Sequence, residues 1–395
     1  MYDVVIIGGG PCGLIASREI ARNGNRVLII EEHQEIGYPV QCSGLYSVSG
    51  LKTLGLKIGK DLIANTIKGG RFFSPSCKEI LAYSDKERAR VVEKKLFDKY
   101  LAREAARAGV EIKLKTRALG LKREKDIHVS IDGPGGREKI KSPLVIGADG
   151  VRSNVARWCG LETPEKIVAA AQVEVEDVEV ESDVAEMYFG REYAPNFYAW
   201  ILPKGEVYEV GVGVRNGSAP PRKYLEKFIR QHPVASKKIK GKSIIEFNMG
   251  GFPLAVSKNT VSDGIMIVGD AAGQTKASTG GGVITGGIAS MIAGAAANKA
   301  LEARDYSEEF LRREYELKWK EELGFELKVH EALRNMFDSM SDEQLDSLFD
   351  LAIEAHVNEI MVKYSDTDRP SEFLRELLAE ERMLEVMQKF LDFPL

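Results

Sequence analysis

Histidine and cysteine are scarce in this chain: among 395 residues there are five of the first and four of the second. His33, His128, His232, His330 and His356 fall in no metal-ligand spacing, so no metal is expected and no histidine is assigned to catalysis. Cys12, Cys42, Cys77 and Cys159 form neither a C-x-x-C pair nor a disulfide framework, which suits a reducing cytoplasm. An excess of positive charge is missing too. The 55 Lys and Arg against 59 Asp and Glu leave a net charge of −4, which argues against a dedicated nucleic-acid binder. No basic segment precedes the first apolar run, so no secretory leader is expected. One uncharged run, 277–298, is long enough to suggest a membrane span. Its start is broken by Gly280, Gly281, Gly282, Gly286 and Gly287, and much of the rest is Ala and Gly, so a buried helix packed closely on other backbone is expected instead. Internal repeats and long low-complexity linkers are absent.

The N-terminus carries the strongest positive signal. Residues 2–7, apolar and β-branched from Val4 to Ile7, read as a central parallel strand. It leads into the G-x-G-x-x-G turn Gly8, Gly10, Gly13 with Cys12 inside it, then a helix over 14–22 and a second strand over 26–30 that ends in Glu31. Each part has a job in holding a dinucleotide. Gly8 makes the tight turn, Gly10 lets a pyrophosphate approach the backbone, and Gly13 lets helix pack on strand. The helix N-terminus offers unpaired amides to phosphate, and Glu31 accepts from a ribose hydroxyl. The motif alone does not choose between FAD and NAD.

Further along, a helix is expected over 91–108, with Leu96, Phe97, Tyr100 and Leu101 on one face. A hairpin is expected with strands 127–131 and 139–141 about the turn 132–136. An apolar strand over 144–148 ends in Asp149, and a last buried strand over 264–269 ends in Asp270. Residues 166–251 are strand-rich and read as an antiparallel sheet inserted into the α/β framework. Within them Tyr198 and Trp200 lie two apart on a strand and share a face, as core residues or as the wall of an elongated pocket. Pro203-Lys204-Gly205 reads as a turn with Lys204 in solvent. After Tyr306 the pattern is helical and charged.

Four segments align into a constellation: Gly8–Gly13 with Glu31, Lys94 to Asp98, Gly147 to Ser153, and Gly269 to Gly273 followed by Thr279 to Val283. Together they resemble the p-hydroxybenzoate-hydroxylase-like superfamily of FAD enzymes. Two more stretches, 39–45 with Cys42 and 198–204 with its Y-x-W-x-L-P pattern, are similar to the geranylgeranyl reductase family within it. Leu202 stands where that signature usually has Phe, and Lys94 where most relatives carry Arg.

The resemblance implies an α/β fold: a Rossmann-like FAD-binding domain (1–65, 91–165 and 252–300), an inserted, mostly antiparallel substrate domain (66–90 and 166–251) and a C-terminal helical region (301–395). It implies FAD contacts at Gly8, Gly10, Cys12, Gly13, Glu31, Cys42, Ser43, Gly44, Lys94, Ala118, Asp149, Asp270, Gly281, Gly282 and Val283. Asp149 alternatively holds loop geometry without touching ligand. Cys42 is placed against the flavin ring, where a thiol tunes the flavin or relays a proton, or is an inert buried thiol. Cys42, Tyr198 and Trp200 are the expected catalytic residues. The implied activity is saturation of geranylgeranyl C=C bonds by hydride from reduced flavin, on archaeal-type phospholipid precursors. Electrons come from NAD(P)H, ferredoxin or another carrier. A lipid substrate implies a cytoplasmic protein in peripheral contact with the inner face of the membrane, with the helices after Tyr306 as either the contact or a solvated lobe. The same framework supports an aromatic or quinone monooxygenase, or a flavoprotein without catalysis.

Overall fold

The strand Val4–Ile7 is buried along its whole length, as a run of Val and Ile with no polar interruption requires. It is known from a computed structural model that describes residues 1–241, 243–364 and 366–380. The chain divides into two compact units. The first comprises Met1–Val40, Lys94–Ile167 and Phe252–Leu327. The second comprises Gln41–Glu93, Val168–Gly251 and the described residues from Lys328 onward.

In the first unit a six-stranded sheet runs in the order Val261–Ser262, Ile265–Ile267, Leu144–Gly147, Val4–Ile7, Val27–Ile30 and Glu111–Lys113. All neighbours are parallel except the first pair. One face packs Val5, Ile7, Leu28 and Ile30 on Ile127, Val129, Ile131 and Ile140 of a three-stranded antiparallel sheet. Its hairpin strands, Ile127–Gly133 and Gly136–Ser142, are longer than the sequence suggests: Gly133 pairs with Gly136 across Pro134-Gly135.

The glycine- and alanine-rich run forms the helix Val283–Ala303, which packs on Pro11–Ala21. A Cβ at Gly294 would lie 2.7 Å from the Cβ of Glu19 and 3.2 Å from the carbonyl oxygen of Ala16, so the small residues are what admit this close approach. Among the described residues no helix is long and apolar enough to cross a membrane.

In the second unit a seven-stranded sheet has the order Ile244–Pro253, Ile167–Val175, Val207–Val214, Ala199–Lys204, Val184–Tyr188, Gly69–Phe73 and Glu79–Tyr83. The pair Val184–Tyr188 and Gly69–Phe73 is parallel, and the other registered pairs are antiparallel. Helix Pro221–Gln231 covers one face through Leu225 and Phe228, against Val210, Val212 and Val214. The helices Asp342–Glu354, Val357–Lys363 and Pro370–Ala379 pack about Ile80, Met336, Leu345, Phe349 and Leu374. The expected C-terminal helical region extends to residue 395, and its last stretch, 381–395, lies outside the described residues.

The helix expected over 91–108 begins three residues later, as Lys94–Arg107. Val91 and Val92 instead belong to the strand Ala89–Val92, paired with Leu45–Ser47 and Ile63–Ile67. Two fully buried β-branched residues suit a strand. The helix's buried stripe is also narrower than expected: Phe97 and Leu101 are buried, but Leu96 is exposed.

Candidate functional site

The turn after the first strand has three glycines in three different environments. Gly8 adopts φ +109°, and a Cβ there would lie 2.2 Å from the carbonyl oxygen of Ala148. A Cβ on Gly13 would lie 2.1 Å from the carbonyl oxygen of Gly8. Gly10 differs: a Cβ would meet nothing within 4 Å. Gly10 is also the N-cap of helix Pro11–Ala21 and has no side chain to cap it. The first two glycines serve the chain's own packing, whereas the third faces open space beside uncapped amides, as a phosphate cradle requires.

Glu31 lies beneath this turn. Its Oε2 accepts from the Gly9 amide at 2.7 Å and its Oε1 from the His33 amide at 2.8 Å. Cys12 bridges to the other side of the site: a Cβ on Gly269 or on Gly286 would lie 2.7 Å from its Sγ. Burial pushes the Cys12 thiol up to about 12, with the charge of Asp270 adding to the effect. This thiol is held neutral and acts as a small apolar filler.

The ends of strands Val4–Ile7, Leu144–Gly147 and Ile265–Ile267 thus converge at one carboxyl rim, where open parallel sheets take ligands. At that rim Asp149 Oδ1 accepts from Ser153 Oγ at 2.6 Å, and Oδ2 accepts from the amides of Asn154 and Val155 at 2.7 and 3.0 Å. Asp149 thus accepts from the first amides of the short helix Asn154–Trp158, whose N-cap is Ser153. Asp270 lies in the 3-10 turn Gly269–Ala272, beyond the strand end. Its Oδ1 accepts from Thr275 Oγ1 at 2.7 Å, and burial raises its carboxyl above the ordinary aspartate range. A Cβ on Gly282 would lie 2.9 Å from that same Oδ1. Gly282 is the N-cap of Val283–Ala303 and again has no side-chain cap, so a second set of helix amides opens beside Asp270. A Cβ on Gly281 would lie 2.9 Å from Cε of Lys276, the far end of a side chain that can move aside.

Lys94 is buried and ion-paired with Asp98 one helical turn on. Burial raises the Asp98 carboxyl, and the Lys94 charge opposes that shift. Ala118 packs its methyl into the core beneath the sheet, which leaves only its backbone for a cofactor contact.

The second unit holds the remaining expected residues. The amide of Gly44 donates to Cys42 Sγ at 3.4 Å, and Tyr46 Oη lies 3.8 Å from that sulfur. Gly44 is at φ +75° with its Cβ position 2.3 Å from the Val92 carbonyl oxygen, so this loop carrying Cys42 and Ser43 admits no side chain at 44. Tyr198 and Trp200 have ring centroids 6.1 Å apart. They belong to a row in which Tyr198 also stacks on Phe197 at 4.3 Å and meets Phe189 at 5.9 Å, with Phe337 a further 5.8 Å from Phe189. Trp200 packs as well against Leu202, Ala185 and Val91, so it is part of a small core.

Sequence reasoning missed the polar end of this row. Trp200 Nε1 donates to Glu209 Oε1 at 3.0 Å, and Gln172 Nε2 donates to Glu209 Oε2 at 3.1 Å. Glu209 is 1% exposed. Lys204, expected in a turn and in solvent, is instead buried at the end of strand Ala199–Lys204, paired with Glu174 and 3.6 Å from Glu93. The available signal was a lone glutamate between apolar residues in the run 207–214. Among the described residues no group of three or more His, Cys, Asp or Glu could hold a metal ion.

Comparison with known proteins supplies the family. A model described as FAD binding domain matches residues 1–287. A digeranylgeranylglycerophospholipid reductase of Methanocaldococcus jannaschii is 43% identical over 354 residues, covering 88% of this chain and 90% of the relative. The protein of the same name from Methanosarcina acetivorans is 39% identical over 365 residues, covering 89% and 88%. The crystal structure of a geranylgeranyl bacteriochlorophyll reductase-like protein from Thermoplasma acidophilum is 32% identical, with a TM-score of 0.86 over 98% of both chains. The expected fold class and the expected cofactor, FAD, are both borne out, and the open face of Gly10 and the uncapped amides at Gly282 fit that cofactor. The chain belongs to the digeranylgeranylglycerophospholipid reductase family of FAD-binding oxidoreductases.

Proposed function

We propose that this protein saturates C=C bonds of geranylgeranyl chains on a glycerophospholipid precursor of archaeal type. The observation that carries the reading is the near full-length similarity, at 43% identity, to a protein named for that reaction. Bound and reduced, FAD supplies a hydride to one carbon of the double bond while the other carbon takes a proton.

The chain's own residues do the rest. The backbone at Gly10 and the first turn of Pro11–Ala21 hold the diphosphate, and Glu31 accepts from the adenosine ribose. Asp270 holds a ribityl hydroxyl, and the amides from Gly282 onward favour negative charge on the reduced flavin. We assign the cofactor to the first unit and the prenyl chain to the second. There the row Phe337, Phe189, Tyr198 and Trp200 offers an apolar wall that positions a long hydrocarbon and excludes water. Cys42 Sγ, held by the Gly44 amide, is the proton-bearing atom in this reading. Electrons enter from an external donor, NAD(P)H, ferredoxin or another carrier, and the protein works at the inner face of the cell membrane.

The test is anaerobic incubation of the dithionite-reduced holoprotein with a digeranylgeranylglyceryl phospholipid, read by mass spectrometry. A gain of one hydrogen pair per double bond is expected. Oxygen-dependent hydroxylation with no saturation would overturn the reading in favour of a monooxygenase.

A further inference from the structure

Between the helices Glu308–Leu311 and Leu317–Ser339 the chain makes one π-helical turn, Arg312–Glu316. Leu311, Tyr315 and Trp319 are all buried at a spacing of four residues. In a regular α-helix that spacing drifts by about 40° at each step. One wide turn offsets the drift and keeps the three side chains on one face. Such turns are rare and recur at functional sites.

Here the wide turn brings Tyr315 to the segment that carries Asp270. The Tyr315 hydroxyl donates to the carbonyl oxygen of Ile267 at 2.6 Å and accepts from Nε2 of Gln274 at 2.9 Å. Gln274 Oε1 in turn accepts from the Gly269 amide at 2.8 Å. A backbone amide can only donate, which fixes the orientation of the Gln274 amide and the direction of every bond in the relay. Burial raises the Tyr315 phenol far above its ordinary value, so it keeps the hydrogen it donates. Both side chains are fully buried, so bulk water does not replace a lost bond.

The Gln274 backbone extends the relay to the second helix end. Its carbonyl oxygen accepts from Thr285 Oγ1 at 2.6 Å, in the first turn of the helix Val283–Ala303 whose open amides begin at Gly282. Gln274 therefore grips both the turn bearing Asp270 and the helix beside it. We infer that Tyr315 and Gln274 are positioning residues for the flavin, fixing Asp270 and the amides at Gly282 relative to each other without touching the cofactor. The inference rests on the proposed assignment of a ribityl hydroxyl to Asp270 and of the reduced flavin's charge to those amides.

The test dilutes the holoprotein and follows the recovery of free-flavin fluorescence, which gives the FAD dissociation constant. Tyr315→Phe leaves Gln274 Nε2 and the Ile267 carbonyl without this partner and is expected to raise that constant about tenfold. The reduced flavin should lose about tenfold more affinity than the oxidised one, which lowers the two-electron midpoint potential by about 30 mV. Gln274→Met should do the same, and the double variant no more than either single one, because both act through one contact. The control is Trp319→Phe. It removes a 3.1 Å bond from the indole to Thr260 Oγ1, made by the same helical stretch but not to the turn. This variant should lower the thermal midpoint and leave affinity and potential unchanged. Wild-type affinity and potential in Tyr315→Phe and Gln274→Met overturn the inference, as do equal shifts in Trp319→Phe. Asp270→Ala separates it from the reading beneath it. Unchanged FAD binding in Asp270→Ala sinks the flavin assignment at this turn. Weakened binding there with no effect of Tyr315→Phe or Gln274→Met sinks the relay alone.

Discussion

The indole N–H of Trp200 donates to Oε1 of Glu209 at 3.0 Å, so a ring of the aromatic row is anchored by a carboxyl group that water scarcely reaches. Burial pushes that carboxyl up to about 7, against the lowering effects of the Trp200 bond and the Lys204 charge. The folded state therefore binds this proton more tightly than the unfolded chain. The resulting stability is complete below the ordinary glutamate value of 4.5 and is lost as pH rises through about 7. A shift of that size corresponds to roughly 3 kcal/mol. Urea unfolding of wild type is expected to show stability falling across this window, and Glu209→Gln, which keeps an oxygen for Trp200, should remove most of the fall. Parallel curves for the two proteins would show that Glu209 is not the titrating group.

Gly211 sits opposite Trp200 in the register of strands Ala199–Lys204 and Val207–Val214. A Cβ there would lie 2.1 Å from Cζ2 of the indole. Gly211→Ala must therefore displace the ring and break its bond to Glu209, at a cost of about 1–3 kcal/mol. The expected readout is a red shift of tryptophan emission and a raised KM for prenyl lipid, with FAD occupancy unchanged. Normal emission together with a normal KM would remove Trp200 from the substrate wall.

The parts of this site that the sequence announces are local ones. Gly8, Gly10, Gly13 and Glu31 fall within a single strand–turn–helix–strand unit, so spacing alone reveals them. Asp149 is legible as a strand-end acid, and the amides it binds lie within the next six residues. Glu209 was not legible. Its partners Trp200 and Gln172 lie 9 and 37 residues away and are delivered by strand register, which no single-strand pattern encodes. Lys204 escapes the local pattern for the same reason, because the carboxylates that pair with it come from Glu174 and Glu93. The apolar spacing of Lys94–Arg107 extends smoothly backward over Val91 and Val92, while their pairing with Ile63–Ile67 is visible only in three dimensions.

Gly10 and Gly13 should respond oppositely to added side chains. Gly10 has φ −75° and ψ 177°, which any residue adopts, and its Cβ direction is open. Gly10→Val is expected to leave unfolding of the cofactor-free protein within about 0.5 kcal/mol of wild type. It should also lower FAD affinity at least roughly tenfold by blocking close approach of the diphosphate. Gly13→Ala puts a methyl 2.1 Å from the Gly8 carbonyl oxygen and should destabilise the cofactor-free fold by about 1–3 kcal/mol. Equal effects of the two substitutions on cofactor-free stability would refute this division of labour.

Cys42 is the sharpest point of contact between the proposed reaction and the chain. Its Sγ accepts from the Gly44 amide at 3.4 Å in a loop where Gly44 tolerates no side chain. Cys42→Ser keeps an acceptor for that amide, so the loop and FAD retention should survive. A serine hydroxyl is a far weaker acid than a thiol, so a proton delivered from this atom would arrive more slowly. The expected result is full flavin occupancy with prenyl reduction slowed at least roughly tenfold, the loss falling on kcat and not on KM. Stopped-flow reoxidation of the reduced flavin by prenyl lipid reads this step directly. An unchanged rate would make Cys42 a packing residue and move the proton source elsewhere.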